Sequence, residues 1–461
     1  MPRRVLFIAL AFPPQNSSGT FRSVKFVKYL GEFGWEPVVV TLDWARVLAP
    51  QERDETLLED LPPDLPIYRL APFNPVQALG ERVRRRLSFT SPLATGTDPV
   101  TLSEVPSEDA PRARWYRLLR ALYHFSLAPI GDEHFYWAMR ALPTCVRIAR
   151  RHQVEAIFVS ASPWTSVMLG VWLKRWLHRP LIVDFRDYWT QWPIKARRPV
   201  RDRLDAWAER WILRAADRLV CVHEAMVEDF ARLVPETIAR SVVIPNGYDA
   251  EDFRTLVRVS PEAGAPTTLV HTGMVWGDAA TAFLEAIAWL KEQTLTPSSW
   301  RVHFVGGLPP SNLRFVRERG LHDVVAIEPR TTHREVLARM VAADVLLLLI
   351  TSHEGGRKWF PGKLFEYMAA GRPILAVVPS GLASALIAEA GVGVSVEPRE
   401  GERLRTLLRH ATLDPEGFAR QFYHPQPAVI RRYERRALTR RLAEILEDVV
   451  DRARAKARSS Q

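Results

Sequence analysis

Only two cysteines, Cys145 and Cys221, occur in 461 residues, too few for a disulfide framework or a four-cysteine zinc site. A reducing, cytoplasmic setting is therefore expected. Asp-x-Asp is absent, so the sequence offers no closely spaced carboxylates of the kind that hold Mg²⁺ or Mn²⁺, and its scattered histidines outline no cage. No metal site and no cofactor are expected. G-x-G-x-x-G is absent as well, which argues against nicotinamide and flavin chemistry. No apolar run approaches the ~20 residues that span a bilayer; the longest, Val345 to Ile350, is short and follows Asp344. The apolar stretch Val5 to Phe12 is at the lower limit for a signal peptide and is read as a buried first strand.

What is present is an ordinary globular mixture, 47% hydrophobic and 25% charged, long enough for two or three domains. Basic residues exceed acidic ones, giving a net charge of +11, which favours polyanionic partners such as phosphorylated small molecules or anionic lipid headgroups. Near-continuous apolar runs alternate with helical patterns twice along the chain. The first series runs from Val5–Leu10 to Val242–Ile244 and the second from Thr268–His271 to Gly393–Val396. Such alternation predicts parallel sheets covered on both faces, hence an α/β protein of two Rossmann-like domains. Boundaries are placed at 1–247, 248–425 and a final helical segment, 426–461, with Leu438, Leu442, Ile445, Leu446 and Val449 on one stripe. Residues 71–143 do not fit the alternation and are read as a helical, basic insertion. Its stretch Arg112 to Tyr123 has an arginine-rich, amphipathic pattern suited either to packing or to a membrane interface.

Three segments carry candidate chemistry. After the first strand, a small-residue loop leads through Gly19 to Arg22 and a helix, where backbone N–H groups favour an anion. Asp184, Arg186 and Asp187 end another strand, where open α/β sheets bind ligands; they suit either an internal ion cluster or sugar binding. In the second series, Gly273 lies in a loop between strand and helix. The most informative run is His353 to Pro373. Pro361-Gly362 turns the chain into a helix whose N-terminus, with Lys363 and Arg357, makes a site for a diphosphate, and Glu366 one turn on is placed to accept from ribose hydroxyls.

Taken with Ser18-Gly19-Thr20-Phe21-Arg22 and Pro245-Asn246-Gly247-Tyr248-Asp249, the run Pro361-Gly362-Lys363-Leu364-Phe365-Glu366 resembles the retaining family 4 glycosyltransferases of GT-B fold. Ser162-Pro163 and Asp184 to Trp189 look like a bacterial branch that builds surface polysaccharides. The resemblance implies two domains facing a central cleft, a C-terminal helix crossing back to the first domain, and an acceptor held by the N-terminal domain. It also implies a nucleotide-diphosphate sugar as donor, held by Gly19, Arg22, Gly273, Glu354, Pro361, Gly362, Lys363, Leu364 and Glu366. Asp187, Arg357 and Lys363 are the candidate catalytic groups. The basic, aromatic stretch Arg112 to Tyr123 and the net charge point to a glycan or lipid-linked acceptor, and peripheral contact with anionic membrane at the inner face of the plasma membrane is the expectation that goes with it. Two departures stand out: Met274 and Val275 follow Gly273 where the family commonly has Arg and Lys, and Lys358 stands where many members have a sugar-contacting Glu. The main alternative is a noncatalytic GT-B protein that binds a nucleotide or polyanionic glycan as an assembly partner. Nucleic acid is not expected as a partner, since the basic residues are spread through both halves and no recognition module is evident.

Overall fold

The computed structural model describes residues 3–49, 52–76, 78, 130–191, 199–257, 264–275, 277–293, 299–352 and 355–459. Two parallel sheets organise the chain. The first contains β1 (Arg3–Ala9), β2 (Trp35–Leu42), β3 (Ile67–Leu70), β4 (Ala156–Ala161), β5 (Leu181–Phe185), β6 (Arg218–Cys221) and β7 (Ser241–Val243). Its spatial order is β3-β2-β1-β4-β5-β6-β7. The second contains β8 (Thr267–Thr272), β9 (Trp300–Val305), β10 (Val325–Glu328), β11 (Val345–Leu349), β12 (Ile374–Val377) and β13 (Gly393–Val396), in the order β10-β9-β8-β11-β12-β13. Every strand expected from an apolar run is present, with ends shifted by at most a residue or two.

Alternation along the strands sorts residues between two cores. In β1, Leu6 and Ile8 pack with helices α2 (Phe135–Arg151), α3 (Trp164–Leu177), α4 (Pro199–Ala215) and α5 (Glu224–Leu233). Val5 and Phe7 point the other way, toward α1 (Ser18–Leu30) and α9 (Arg435–Ser459). The second sheet repeats this plan with α6 (Asp278–Gln293) on one face and α7 (His333–Ala342) and α8 (Gly362–Ala370) on the other. The stretch read as an insertion over 71–143 includes the first half of α2, whose Trp137, Ala138 and Ala141 belong to the first core. The amphipathic stretch Arg112 to Tyr123 lies outside the described residues.

Helix α9 crosses back to the first sheet. Leu438, Leu442 and Leu446 are buried beside Phe26, Leu30 and Phe158 of the N-terminal half. Where the chain returns, Tyr248 and Glu434 form a bridge: the Tyr248 N–H donates to Tyr433 O at 3.0 Å and the Arg435 N–H to Tyr248 O at 2.8 Å. Both crossings between the sheets thus lie side by side. No helix among the described residues is long and apolar enough to cross a membrane.

Candidate active site

In each sheet the strand order reverses direction at one point, between β1 and β4 and between β8 and β11. Loops leaving the carboxyl ends of strands that flank such a point define a crevice. The loop after β1 and the segment from β11 into α8 arise there, and the loop after β5 leaves the sheet one strand further along.

On the C-terminal side, Gly273 follows β8 with φ of +79°, a left-handed conformation that suits glycine. A Cβ at this position would come 3.1 Å from Lys363 Nζ, so the bare backbone is what lets the lysine lie against it. The ammonium donates to Thr272 O and lies 3.3 Å from His271 Nε2. His271 Nδ1 is 2.9 Å from Leu347 O, an acceptor only, so Nδ1 carries the proton and Nε2 accepts from the lysine. Burial, and then the Lys363 charge, hold His271 neutral, well below the usual imidazole range. Burial pulls Lys363 itself down to about 8. The Tyr367 hydroxyl fixes the same turn, accepting from Thr272 N at 3.0 Å and donating to Leu347 O at 3.3 Å. Among the described residues Lys363 is thereby held by two acceptors, which leaves one N–H for a third.

Helix α8 starts beside it. Pro361 is the N-cap without a side-chain cap bond, and the space a Gly362 side chain would occupy is open. The first-turn N–H groups and the ammonium therefore present positive charge to the same crevice. Leu364, read as a donor residue, is buried in the core, so only its backbone belongs to this turn. Glu366 Oε1 pairs with His333 Nε2 at 2.8 Å. Burial opposes a charge on His333, but Glu366 outweighs it and the imidazole is raised above its ordinary value. His333 also stacks on Phe21 of α1, with centroids 4.1 Å apart, and its backbone N–H donates to Asp54 Oδ2 at 2.8 Å. This histidine joins the two halves at the edge of the crevice.

The N-terminal wall departs from expectation. Arg22 is buried with no exposed surface and makes a forked bond to Asp184, with Nη2 2.7 Å and Nε 3.0 Å from its carboxylate oxygens. It also donates to Ile244 O and Pro245 O. Arg22 is therefore a strut for the crossing between domains; burial puts it out of reach of a donor. Asp184 belongs to the same internal cluster, with Ser160 Oγ 3.1 Å away. Gly19 is buried where a Cβ would collide with the Arg186 guanidinium, and Arg186 in turn donates to Ala161 O and Ser162 O at 2.7 Å. Asp187 is exposed on the loop after β5 and has no ion-pair partner among the described residues.

Arg357 is likewise exposed. It lines a depression of about 430 Å³ with Asp278, Ser352, Glu397 and Arg399, and the structure does not place it in contact with Lys363. Glu354 lies outside the described residues. Lys358 reaches the N-terminal domain, pairing with Asp229 at 2.7 Å, and Asp229 also accepts from Tyr188 Oη at 2.7 Å. Sequence reasoning missed His271, His333 and Asp229, whose partners are 92, 33 and 129 residues away in the chain. One signal was available for His271: a histidine next to the last residue of a buried strand, two positions before the glycine turn.

Among the described residues one group of three carboxylates has the spacing to hold a metal ion: Asp60, Asp249 and Asp252. Its centre is filled by the Lys25 ammonium, 2.6, 2.8 and 2.5 Å from them, with Lys28 2.9 Å from Asp249. Burial alone would raise the Asp249 carboxyl; Lys25, Tyr29 and Lys28 instead hold it well below the carboxylate range. These ion pairs clamp α1 to the segment that enters the second domain.

Two sheets facing one crevice, with the terminal helix returned to the first, define the GT-B architecture. Family models agree: one described as Glycosyltransferase Family 4 matches residues 97–252, and one described as Glycosyl transferases group 1 matches residues 266–412. The chain belongs to the family 4 glycosyltransferases. A comparison with curated proteins gave no match. Among solved structures the chain is similar to Anabaena HepE in complex with UDP and glucose, at 14% identity and TM-score 0.62, over 97% of this chain and 100% of that one. It is also similar to sucrose-phosphate synthase from Thermosynechococcus elongatus, at 15% identity and TM-score 0.58, over 99% and 98% of the two chains. A glycosyltransferase from Rickettsia africae matches at 13% identity and TM-score 0.59, over 97% and 98%. At these identities the likeness is one of fold.

Proposed function

We propose that this glycosyltransferase uses a nucleoside diphosphate sugar, bound against Gly273, the N-terminus of α8, Lys363 and Glu366, and transfers the sugar with retention to a glycan or lipid-linked hydroxyl. The observation that carries the reading is the convergence of one free N–H of Lys363 with the uncapped turn at Gly362. As the glycosidic bond to the diphosphate breaks, charge builds on the leaving oxygen. A preorganised ammonium and backbone dipoles favour that charge more than the ground state. Same-face attack then lets a leaving-group oxygen take the acceptor proton, with Asp187 at the crevice edge as a group that orients the acceptor. A uridine nucleotide is the first donor to test, since HepE was solved with UDP-glucose. A cytoplasmic site of action, with acceptors of the kind a bacterial surface polysaccharide needs, is part of the same proposal. The rival, a nucleotide-binding protein without turnover, draws on Met274 and Val275 at the position of the expected cations. Release of UDP from UDP-sugars separates the two: no turnover with any nucleotide sugar, despite binding, would favour the rival.

Glu366→Ala is expected to weaken UDP binding by about 1.5–3 kcal/mol, the worth of a hydrogen bond to a charged acceptor. Calorimetric titration measures this, and unchanged affinity would remove Glu366 from the ribose site. Transfer is expected to persist in excess EDTA, because Lys363 and the α8 turn are assigned the charge that a divalent ion would otherwise neutralise. Loss of transfer restored by Mn²⁺ or Mg²⁺ would reverse that assignment.

A further inference from the structure

Glu366, the residue assigned to the ribose, does not stand free at the crevice. Its Oε1 accepts from His333 Nε2 at 2.8 Å, and the two side chains are only 17% and 10% exposed. A glutamate has three rotatable bonds, and few of its orientations offer both carboxylate oxygens to a pair of vicinal hydroxyls. Tying one oxygen to an imidazole selects the plane of the carboxylate. It leaves Oε2, and the second lone pair of Oε1, for a ligand.

What fixes the imidazole comes mostly from the other domain. His333 opens α7, where Thr332 and Glu335 form a capping box, so its backbone is set by local sequence. Its N–H donates to Asp54 Oδ2 at 2.8 Å, and its ring stacks on Phe21 of α1, with centroids 4.1 Å apart and planes at 26°. Asp54 is buried and is itself held, accepting from Thr56 N at 3.2 Å and Thr56 Oγ1 at 2.5 Å. The residues just before the histidine are gripped as well: Asn16 Nδ2 donates to Thr331 O at 3.4 Å, and Arg330 Nη2 to Asn16 O at 3.1 Å. Asn16, Phe21 and Asp54 thus form a seat on the N-terminal domain for the first turn of α7. Their route to Glu366 runs through His333.

We propose that His333 is a positioning residue for ribose recognition: seated on Phe21 and Asp54, it holds the Glu366 carboxylate in the plane that accepts from both ribose hydroxyls. The proposal rests on the reading of Glu366 as the ribose acceptor. His333 acts through Glu366 and not on the ligand, and the N-terminal domain thereby completes a nucleoside site whose contacts lie on the C-terminal one. A plain latch between the domains makes a different demand. Loosening a latch weakens every nucleotide alike, whereas misplacing Glu366 weakens only those that carry the hydroxyls.

The test is calorimetric titration of the full chain with UDP and with its 2′,3′-dideoxy form. The matching adenosine and guanosine pairs are run alongside, so that the outcome does not hang on the base. The ratio of the two dissociation constants cancels what the diphosphate and Lys363 contribute to both. Wild type is expected to prefer the ribose form by about 10- to 100-fold, and Glu366→Ala to lose that preference. His333→Ala should lower it by about 2- to 10-fold, the worth of one ordered side chain set free. His333→Gln, whose amide N–H can meet the same oxygen, should restore most of it. Phe21→Ala should lower the preference less than His333→Ala does, and no further in the His333→Ala background. An unchanged preference in His333→Ala, with Glu366→Ala still losing it, would overturn the positioning role and leave Glu366 at the ribose. Equal weakening of both forms would overturn it in favour of a plain latch. No preference in wild type, with any of the three pairs, would remove Glu366 from the ribose and this proposal with it. If circular dichroism shows that His333→Ala does not fold, Phe21→Ala decides, and a wild-type ratio there would overturn the proposal.

Discussion

Lys363→Met is expected to lower turnover by about 100- to 1000-fold, the scale seen when one preorganised donor to developing charge is removed. The loss should fall on kcat more than on KM, because the lysine's contribution grows as the diphosphate departs. Its protonation supplies an independent check. Burial draws Lys363 from 10.5 to about 8, so the free enzyme carries the ammonium below that value and loses it above. The ratio kcat/KM should therefore fall as pH rises through about 8, and the fall should vanish in the methionine variant. Stability runs the other way. A lysine with a depressed folded value costs stability while it is charged in the fold, and the cost fades as pH climbs from about 8 toward 10.5. Thermal denaturation of the methionine variant at neutral pH separates lost activity from lost stability, since the substitution relieves a buried charge and also leaves Thr272 O and His271 Nε2 without their donor. Retention of normal turnover would take Lys363 out of the chemistry.

The largest expected loss of stability comes from the other wall. Asp184→Ala leaves the Arg22 guanidinium buried with only Ile244 O and Pro245 O to hold it, and breaking a buried pair from one side costs about 3–5 kcal/mol. Because those carbonyls lie on the segment leading to Tyr248, the first domain and its link to the second should soften together. Denaturant titration measures the loss. The double change Arg22→Met with Asp184→Leu should recover much of it, since matched apolar groups often replace a buried ion pair without penalty. A single-variant loss under about 1 kcal/mol would mean that the pair is not what holds this crossing.

The strands were readable because a parallel sheet covered on both faces needs continuous apolar runs, and Val38–Val40 or Leu346–Leu349 have no other use in water. The turn at Pro361-Gly362 was readable for a related reason, being local backbone chemistry. Arg22 shows where such reading stops. Its place in the first turns of a helix after β1 suggested an anion site, but its fate was decided by β5, two strands away in the sheet, which delivers Asp184 to it. Arg357 makes the same point in reverse, since only the course of the loop after β11 decides which side of that loop a side chain takes. The Lys358–Asp229 pair joins two domains, and no local pattern encodes it.

The return of α9 to the first sheet has a consequence for synthesis. Phe26, Leu30 and Phe158 are covered by Leu438, Leu442 and Leu446, which the ribosome delivers more than half the chain later. While the nascent second domain is being made, the first presents an oily furrow to water, with its other face already closed by α2 to α5. Domains usually finish folding in the order of synthesis. Here the second can close before the first is sealed, and the furrow is where a holding chaperone would find the growing chain.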